Sequence, residues 1–460
     1  MSVLVRDRSF YKKILTIGGP IAAQQVITVG VNMMDNIMLG RLTEVAIDAS
    51  ALAVQVHNLF TFMCMGLSMG ASVLIARFWG AGERVSLRKT LTLMYRSCLI
   101  LSALFTLVVG FAPYQVMSLL TPDPEVIAAG ASYLRWSLPC FFLYGLSLTT
   151  TNVLRNVGLM RIPLYTSIGA FFINIFFNWM FIFGKLGAPA MGVAGAALGT
   201  LISRAFEFII ICGYLLFREK TIRFQIREIL TPCRDLLPEY IRVCIPVFIS
   251  DTLLGVGNNL TVTVASHVRS VSGSFMSAYA ITTVTQQVAT VFSAGLGQSA
   301  LIIIGNTLGK GEPDRAQQEG GTFTILGLVM GVLAGGLIVA ISPLIVGYYN
   351  ITADTAAIAM ELMRSVGVVT IFTLSGSILT KGVLRGGGDT RFLMIADILF
   401  LWCVSVPLGY FAGIVWGWPP FWIFFSLRID HAIKVAWCMF RLRSGKWMKK
   451  IGSVAFRCRN

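Results

Sequence analysis

The chain has 460 residues, 56% hydrophobic and only 13% charged, with a mean hydropathy of +0.76. A soluble protein carries about 25% charged residues, so a soluble enzyme, a disordered chain and a collagenous chain are all excluded, and an all-α polytopic membrane protein remains. The net charge of +16, from 37 Lys and Arg against 21 Asp and Glu, lies mostly in short links between apolar runs, where cations face lipid head groups and set topology rather than bind nucleic acid.

Apolar runs long enough to cross a hydrocarbon core of about 30 Å predict twelve spans. They fall at about 14–38, 51–76, 91–112, 128–154, 162–184, 191–217, 240–262, 276–304, 319–346, 358–384, 392–413 and 419–440. The first follows Arg6, Arg8, Lys12 and Lys13 and continues to about Gly40, which marks a retained helix rather than a cleaved leader. The last two are separated only by Trp418-Pro419-Pro420, yet together they are too long for one helix in a normal bilayer. Nine cysteines occur singly, without a C-x-x-C pair, so neither a disulfide framework nor a metal site is expected.

Basic residues fix the expected orientation. With the N-terminus inside, the inner loops take Arg77, Arg84, Arg88, Lys89 and Arg96, then Arg155 and Arg161, then Arg218 to Arg242, Lys310, Arg315, Lys381, Arg385, Arg391 and the tail. The outer loops hold Arg41, Lys185 and Arg269. Both termini are therefore expected in the cytoplasm, in a multi-pass protein of the cytoplasmic membrane.

The sequence also repeats. Gly80-Ala81-Gly82-Glu83 returns as Gly309-Lys310-Gly311-Glu312, Val153-Leu154-Arg155 as Val383-Leu384-Arg385, and Pro20 as Pro246, each roughly 230 residues later. The expected division is a six-helix lobe over 1–217, a cytoplasmic linker over 218–239, a second six-helix lobe over 240–440 and a basic tail over 441–460. Two like halves around a cleft suit alternating access, which favours a transporter over a channel.

Ionisable groups in hydrocarbon need a partner or a task. Asp35, flanked by Asn32 and Asn36, either takes up H⁺, joins amide oxygens around Na⁺, or caps a break at the outer interface. Asn174 and Asn178 share one face of the fifth span and either bond neighbouring helices or complete the site at Asp35. Asp251, with Asn258 and Asn259 two turns on, is the second half's candidate for a cation or proton, or a buried structural bond. His57 could exchange protons or be a satisfied core residue. Gln286 and Gln287 could line the cavity, though not both, since neighbours on a helix face about 100° apart. Arg204 with Glu207, Glu361 with Arg364, and Asp430 with Lys434 have ion-pair spacing, while Asp397 has no partner near it in sequence. The absence of a phosphate loop and of a nucleotide domain leaves no direct ATP drive, and no enzymatic activity or cofactor is expected.

Taken together and in order, Gly19-Pro20, Asp35-Asn36-Ile37-Met38-Leu39-Gly40, Gly80-Ala81-Gly82-Glu83, Leu154-Arg155, Asn174…Asn178…Phe183-Gly184, Met191-Gly192-Val193-Ala194-Gly195-Ala196-Ala197, Gly309-Lys310-Gly311-Glu312 and Val383-Leu384-Arg385-Gly386-Gly387-Gly388-Asp389-Thr390 resemble the MATE family, the multidrug and toxic compound extrusion antiporters. The resemblance implies twelve helices in two lobes forming a V around a central cleft, and a monomer that exports organic cations or amphipathic drugs against inward H⁺ or Na⁺. It implies that Asp35 is the coupling carboxylate of the DinF-like branch. It also implies that an aspartate found in the fifth span of some archaeal relatives is replaced here by Asn174 or Asn178, which leaves H⁺ against Na⁺ open. The NorM-like branch leans on acids of the seventh and tenth spans. Asp251 could serve as the first, but Ser375, Ser377 and Thr380 stand where the second would be wanted. The competing expectation is a flippase for a lipid-linked precursor, which would want a basic cleft. In the first half only Arg135 and Arg204 offer that.

Overall fold

The computed structural model describes residues 4–39, 44–268, 274–349 and 351–450, apart from the side chains of Asn36, Glu44 and Ala46. The regular secondary structure of the described residues is all helical. Helices α1 (Arg8–Leu39), α2 (Glu44–Ala81) and α3 (Arg84–Phe111) are followed by the short α4 (Pro113–Ser118). Then come α5 (Pro124–Trp136), α6 (Leu138–Asn156), α7 (Arg161–Phe183) and α8 (Val193–Gly213). The second half holds α9 (Leu237–Ser266), α10 (Phe275–Gly309), α11 (Pro313–Tyr348), α12 (Ala353–Ser377), α13 (Thr390–Phe400), α14 (Val406–Tyr410), α15 (Pro420–Leu427) and α16 (Ile429–Arg443). π-helical turns extend α8, α12, α13 and α14.

Among the described residues ten helices are long and apolar enough to cross a membrane, and α5 with α6, bent by 53° at Ser137, make eleven if the bent pair counts as one span. The break follows from the sequence, because Pro139 at the start of α6 cannot donate to the preceding turn. The twelfth expected span, 419–440, is not one continuous apolar helix. α15 ends at Arg428, where the backbone leaves helical geometry (φ −127°, ψ 11°), and α16 carries Asp430 and Lys434 buried in protein.

The repeated motifs take the same conformation in both halves. Gly82 and Gly311 turn with φ of +76° and +81°, and Gly158 and Gly388, each three residues after the repeated arginine, with +92° and +83°. In each turn an amide N–H reaches back five residues: Glu83 to Phe78, Glu312 to Thr307, Leu159 to Leu154 and Asp389 to Leu384. These are helix ends closed by a left-handed residue, which glycine adopts without a side-chain clash.

The chain forms two compact units, 23–248 and 1–22 with 249–460. The expected halves, 1–217 and 240–440, therefore do not coincide with the units at their N-terminal ends. The start of α1 packs in the second unit, where Phe10 meets Phe323 edge to face at 5.5 Å and Gly18 lies against Gly295. From residue 23 onward α1 belongs to the first unit. The start of α9 likewise packs in the first unit, with Gly70 against Cys244 and Gly66 against Phe248. From residue 249 onward α9 belongs to the second. Each helix changes unit within three residues of its proline, Pro20 or Pro246, where a backbone donor is missing and bending is cheap.

Each unit has its own apolar core. Phe60, Cys64, Leu67, Cys98, Leu101, Met117, Leu134 and Phe141 fill the first. Tyr279, Ile338, Leu362, Met363, Val366, Phe424 and Leu427 fill part of the second. Small residues set the closest approaches, as lipid offers little hydrophobic drive between helices. A Cβ on Gly331 would stand 2.7 Å from the Ile371 carbonyl oxygen, and one on Gly335 2.3 Å from that of Gly367. Gly335→Val is accordingly expected to force α11 and α12 apart and destabilise the protein by about 1–3 kcal/mol, read as a lower Tm in detergent. An unchanged Tm would show that this approach is not tightly packed.

The linker of 218–236 is tied to α3. Arg88 pairs with Glu228 at 3.1 Å, and Arg96 donates to the carbonyls of Ile229 and Thr231. Lys89 bonds Asp235 at 2.5 Å, and this hydrogen bond holds the Asp235 carboxyl below its ordinary value.

Candidate functional site

Asp35 lies four residues before the end of α1 and is half-buried. Asn178 Nδ2 donates to its Oδ1 at 2.6 Å and also to Asn174 Oδ1 at 3.3 Å, while Asn174 Nδ2 reaches Thr200 Oγ1 at 3.5 Å. Asn174 and Asn178 stand on the face of α7 turned to α8, and both are fully enclosed, at 1% and 0% exposure. Two glycines make room for them. A Cβ on Gly199 would fall 2.1 Å from Asn178 Oδ1, and one on Gly195 2.5 Å from the Phe181 carbonyl oxygen, so α8 presses against α7 only because neither carries a side chain.

This grouping joins the three residues expected to bind the coupling ion. Asn178 Oδ1 is buried with no hydrogen-bond partner among the described residues, an expensive condition for an amide. The carboxylate, this free oxygen and Asn174 Oδ1 are three hard oxygen donors, the ligand type that alkali and alkaline-earth cations take. Turning the Asn178 amide end for end, an alternative that ordinary structures do not distinguish, would aim its oxygen at the carboxylate. The set thus fits either a proton on Asp35 or a small cation beside it. No group of three His, Cys, Asp or Glu comes together among the described residues.

Arg204 of α8 is not within ion-pair distance of Asp35 and bonds elsewhere. It pairs with Glu207 at 2.7 Å and stacks over Tyr144 at 4.3 Å. Asn32 is exposed on α1, and the side chain of Asn36 lies outside the described residues. His57 accepts a place in the core: its Nε2 is 2.9 Å from Ser137 Oγ at the break between α5 and α6, and its ring stacks on Phe141 at 4.8 Å. The Ser137 hydroxyl is also 3.0 Å from the Leu134 carbonyl. Of the two glutamines in α10, Gln286 is buried and Gln287 exposed, as their angular separation requires.

Asp251 is not a free carboxylate facing a cavity. Arg385 binds it with both nitrogens, Nη2 to Oδ1 at 2.8 Å and Nη1 to Oδ2 at 3.0 Å, and both side chains are nearly sealed. A fork this well matched offsets the charge of the acid with that of the arginine, so Asp251 is not the unpaired carboxylate that a cation or proton site would want. Asn258 similarly accepts from Arg428 at 2.8 Å. Glu361 and Arg364 are both exposed and form no ion pair among the described residues. Asp397, unpartnered in sequence, receives Lys434 at 2.7 Å and the Ser250 hydroxyl at 2.5 Å. Lys434 also touches Asp430 at 3.4 Å.

Thr200 and the arginine contacts were not singled out from sequence, although the repeat held a signal for the latter. Arg155, the counterpart of Arg385, bonds Gln24, four residues after Pro20, just as Arg385 bonds Asp251 five residues after Pro246. Gln24 continues to Ser167 at 2.7 Å. In each unit the repeated arginine thus grips the helix that carries the repeated proline, one turn beyond it.

An all-helical, multi-span protein of two repeat-built units, with an intramembrane carboxylate held by an amide, is the architecture of a membrane transporter. The chain belongs to the MatE family, whose model matches residues 20–180 and 246–411, two stretches that open on Pro20 and Pro246. It is 27% identical over 432 residues to a probable multidrug resistance protein NorM of Agrobacterium fabrum, covering 89% of this chain and 90% of that one. It is 25% identical over 454 residues to a protein of the same name from Thermotoga maritima, covering 95% and 93%. Among solved structures it resembles an outward-facing multidrug resistance MATE family transporter, with a TM-score of 0.84 at 18% identity over 95% of this chain and 96% of that one. At that identity the likeness concerns the fold.

Proposed function

We propose that this protein is a secondary antiporter of the cytoplasmic membrane, exporting organic cations or amphipathic drugs in exchange for H⁺ or Na⁺ entering at Asp35. The observation that carries this reading is the partner of Asp35. Glu207, Asp251, Asp397 and Asp430 each meet an arginine or lysine, whereas Asp35 is bonded to a neutral amide. A carboxylate locked in an ion pair cannot give up its charge cheaply; one held by an amide can exchange a proton or a cation and keep its hydrogen bond. The curated relatives, named as probable multidrug resistance proteins, support the choice of substrate. The protein acts as a monomer in this reading.

Purified protein in liposomes, loaded with a fluorescent organic cation, tests the proposal. A pH or a sodium gradient imposed separately should drive uphill movement of the dye, and an ionophore that collapses that gradient should stop it. Movement indifferent to both gradients would overturn the antiport reading.

Both termini lie in the cytoplasm in this proposal, on the strength of the basic inner loops. Cysteines placed at positions 83 and 312, in the two matching turns, should react with impermeant thiol reagents only from the cytoplasmic side, and one at position 123 only from outside. Labelling of position 83 in intact cells would reverse the orientation.

A further inference from the structure

Beside the start of α3 lies a cavity of about 510 Å³ lined by Arg84, Arg88, Lys220, Thr221, Ile222 and Arg223. Four of its six lining residues are cationic. The loop that carries Lys220 and Arg223 is shaped by Glu219, whose carboxylate accepts the backbone N–H groups of Thr221, Ile222 and Arg223. Arg223 is held in the left-handed region at φ +53°, a conformation that costs a non-glycine residue energy and persists only where its surroundings impose it. Of the four cations, only Arg88 has a carboxylate within ion-pair distance among the described residues, that of Glu228. The Arg84 guanidinium carbon lies 3.6 Å from the centre of the Trp79 ring, which fixes the guanidinium, and its Nη1 is buried without a hydrogen-bond partner among the described residues. A fixed, buried and unpaired guanidinium nitrogen in a cationic cavity calls for an anion with oxygen acceptors.

A second concavity starts two residues away along the chain. Arg218 closes a groove of about 450 Å³ between α7 and α8, lined otherwise by mainly apolar side chains that include Ile162, Tyr165, Phe206 and Ile210. Since Arg218 and Lys220 are separated by two residues, their backbones lie no more than about 7 Å apart. Gly213 lines the groove as well, and a Cβ there would meet nothing within 4 Å.

We infer that this is a binding site for an anionic glycerophospholipid, with the phosphate on Arg84, Lys220 and Arg223 and one acyl chain along the α7–α8 groove. The charge of the cavity selects a phosphodiester, and the adjoining apolar groove selects a lipid over a free phosphate, as basic pockets beside membrane helices do elsewhere. The inference is independent of the antiport reading, since none of these residues touches Asp35 or its amides.

Native mass spectrometry of the full chain in detergent tests it, with dioleoyl phosphatidylglycerol, dioleoyl phosphatidylcholine and inorganic phosphate as probes. Phosphatidylglycerol should bind at least tenfold more tightly than phosphatidylcholine, and millimolar phosphate should not displace it. Each basic residue is worth about fivefold in affinity, so Arg84→Ala with Lys220→Ala and Arg223→Ala should weaken phosphatidylglycerol on the order of a hundredfold. Gly213→Leu should fill the groove and weaken both lipids. If the triple variant does not fold, Lys220→Ala alone, at an exposed position, should lower affinity by about fivefold. Equal binding of the two lipids, displacement by phosphate, or unchanged affinity in the charge variant that folds would each overturn the inference.

Discussion

Asp35→Asn is expected to stop uphill export while leaving drug binding measurable. Antiport requires that ion and substrate each weaken the other's binding by the same factor, and a side chain that cannot titrate or hold a cation removes that coupling at its source. The substitution keeps the size of the residue, and an amide can still meet Asn178, so the packing of α7 against α8 should survive. In liposomes the rate of dye accumulation under the gradient that drives the wild type should fall by on the order of a hundredfold, the upper range of coupling between two sites. Dye binding to the detergent-purified variant, followed by fluorescence, should change far less. Wild-type accumulation by Asp35→Asn would make the aspartate structural and place the coupling group elsewhere.

Asp251→Asn is expected to fail in a different way, by loss of stability. Removing one member of a buried ion pair strands the other, at a cost of about 3–5 kcal/mol, and Arg385 has no other acid within ion-pair distance among the described residues. The single variant should therefore melt at a markedly lower temperature in detergent and accumulate poorly in membranes. Asp251→Asn combined with Arg385→Gln removes both charges and should recover most of that loss, because a neutral pair of similar size can replace a buried ion pair at little cost. Export per folded molecule should be preserved in the double variant. A single variant with wild-type Tm and no export would return Asp251 to the transport machinery.

The two aspartates show what the sequence could and could not reveal. Helix positions and the duplication were legible because they depend on apolar run length and on a motif repeated in order. Asn174 and Asn178 were legible as an i,i+4 pair on one face, but their place beside Asp35, 143 residues away, was one of two alternatives that spacing could not decide. Asp251 was ambiguous because its partner lies at the end of another helix 134 residues later, a distance over which no periodicity speaks. Asp397 was unplaceable for the same reason, its lysine being on another helix. The break at Arg428 was hidden by hydropathy, since the apolar run through Ile423, Phe424 and Phe425 masks the end of the helix. The bend at Ser137 was masked as well, in a stretch that reads as one span although Pro139 marks it.

The handover of α1 and α9 between the compact units has a meaning for how the molecule is built. The switch points, after Ala22 and after Phe248, stand as far apart as the repeated prolines, so the two halves exchange equivalent opening segments. This is the topology of a domain-swapped dimer written into one polypeptide: each copy lends its first turns to its neighbour. Neither half of the sequence therefore encodes a complete unit. The first stays unfinished until the ribosome has passed residue 248, and the N-terminal segment waits for a core that is translated last.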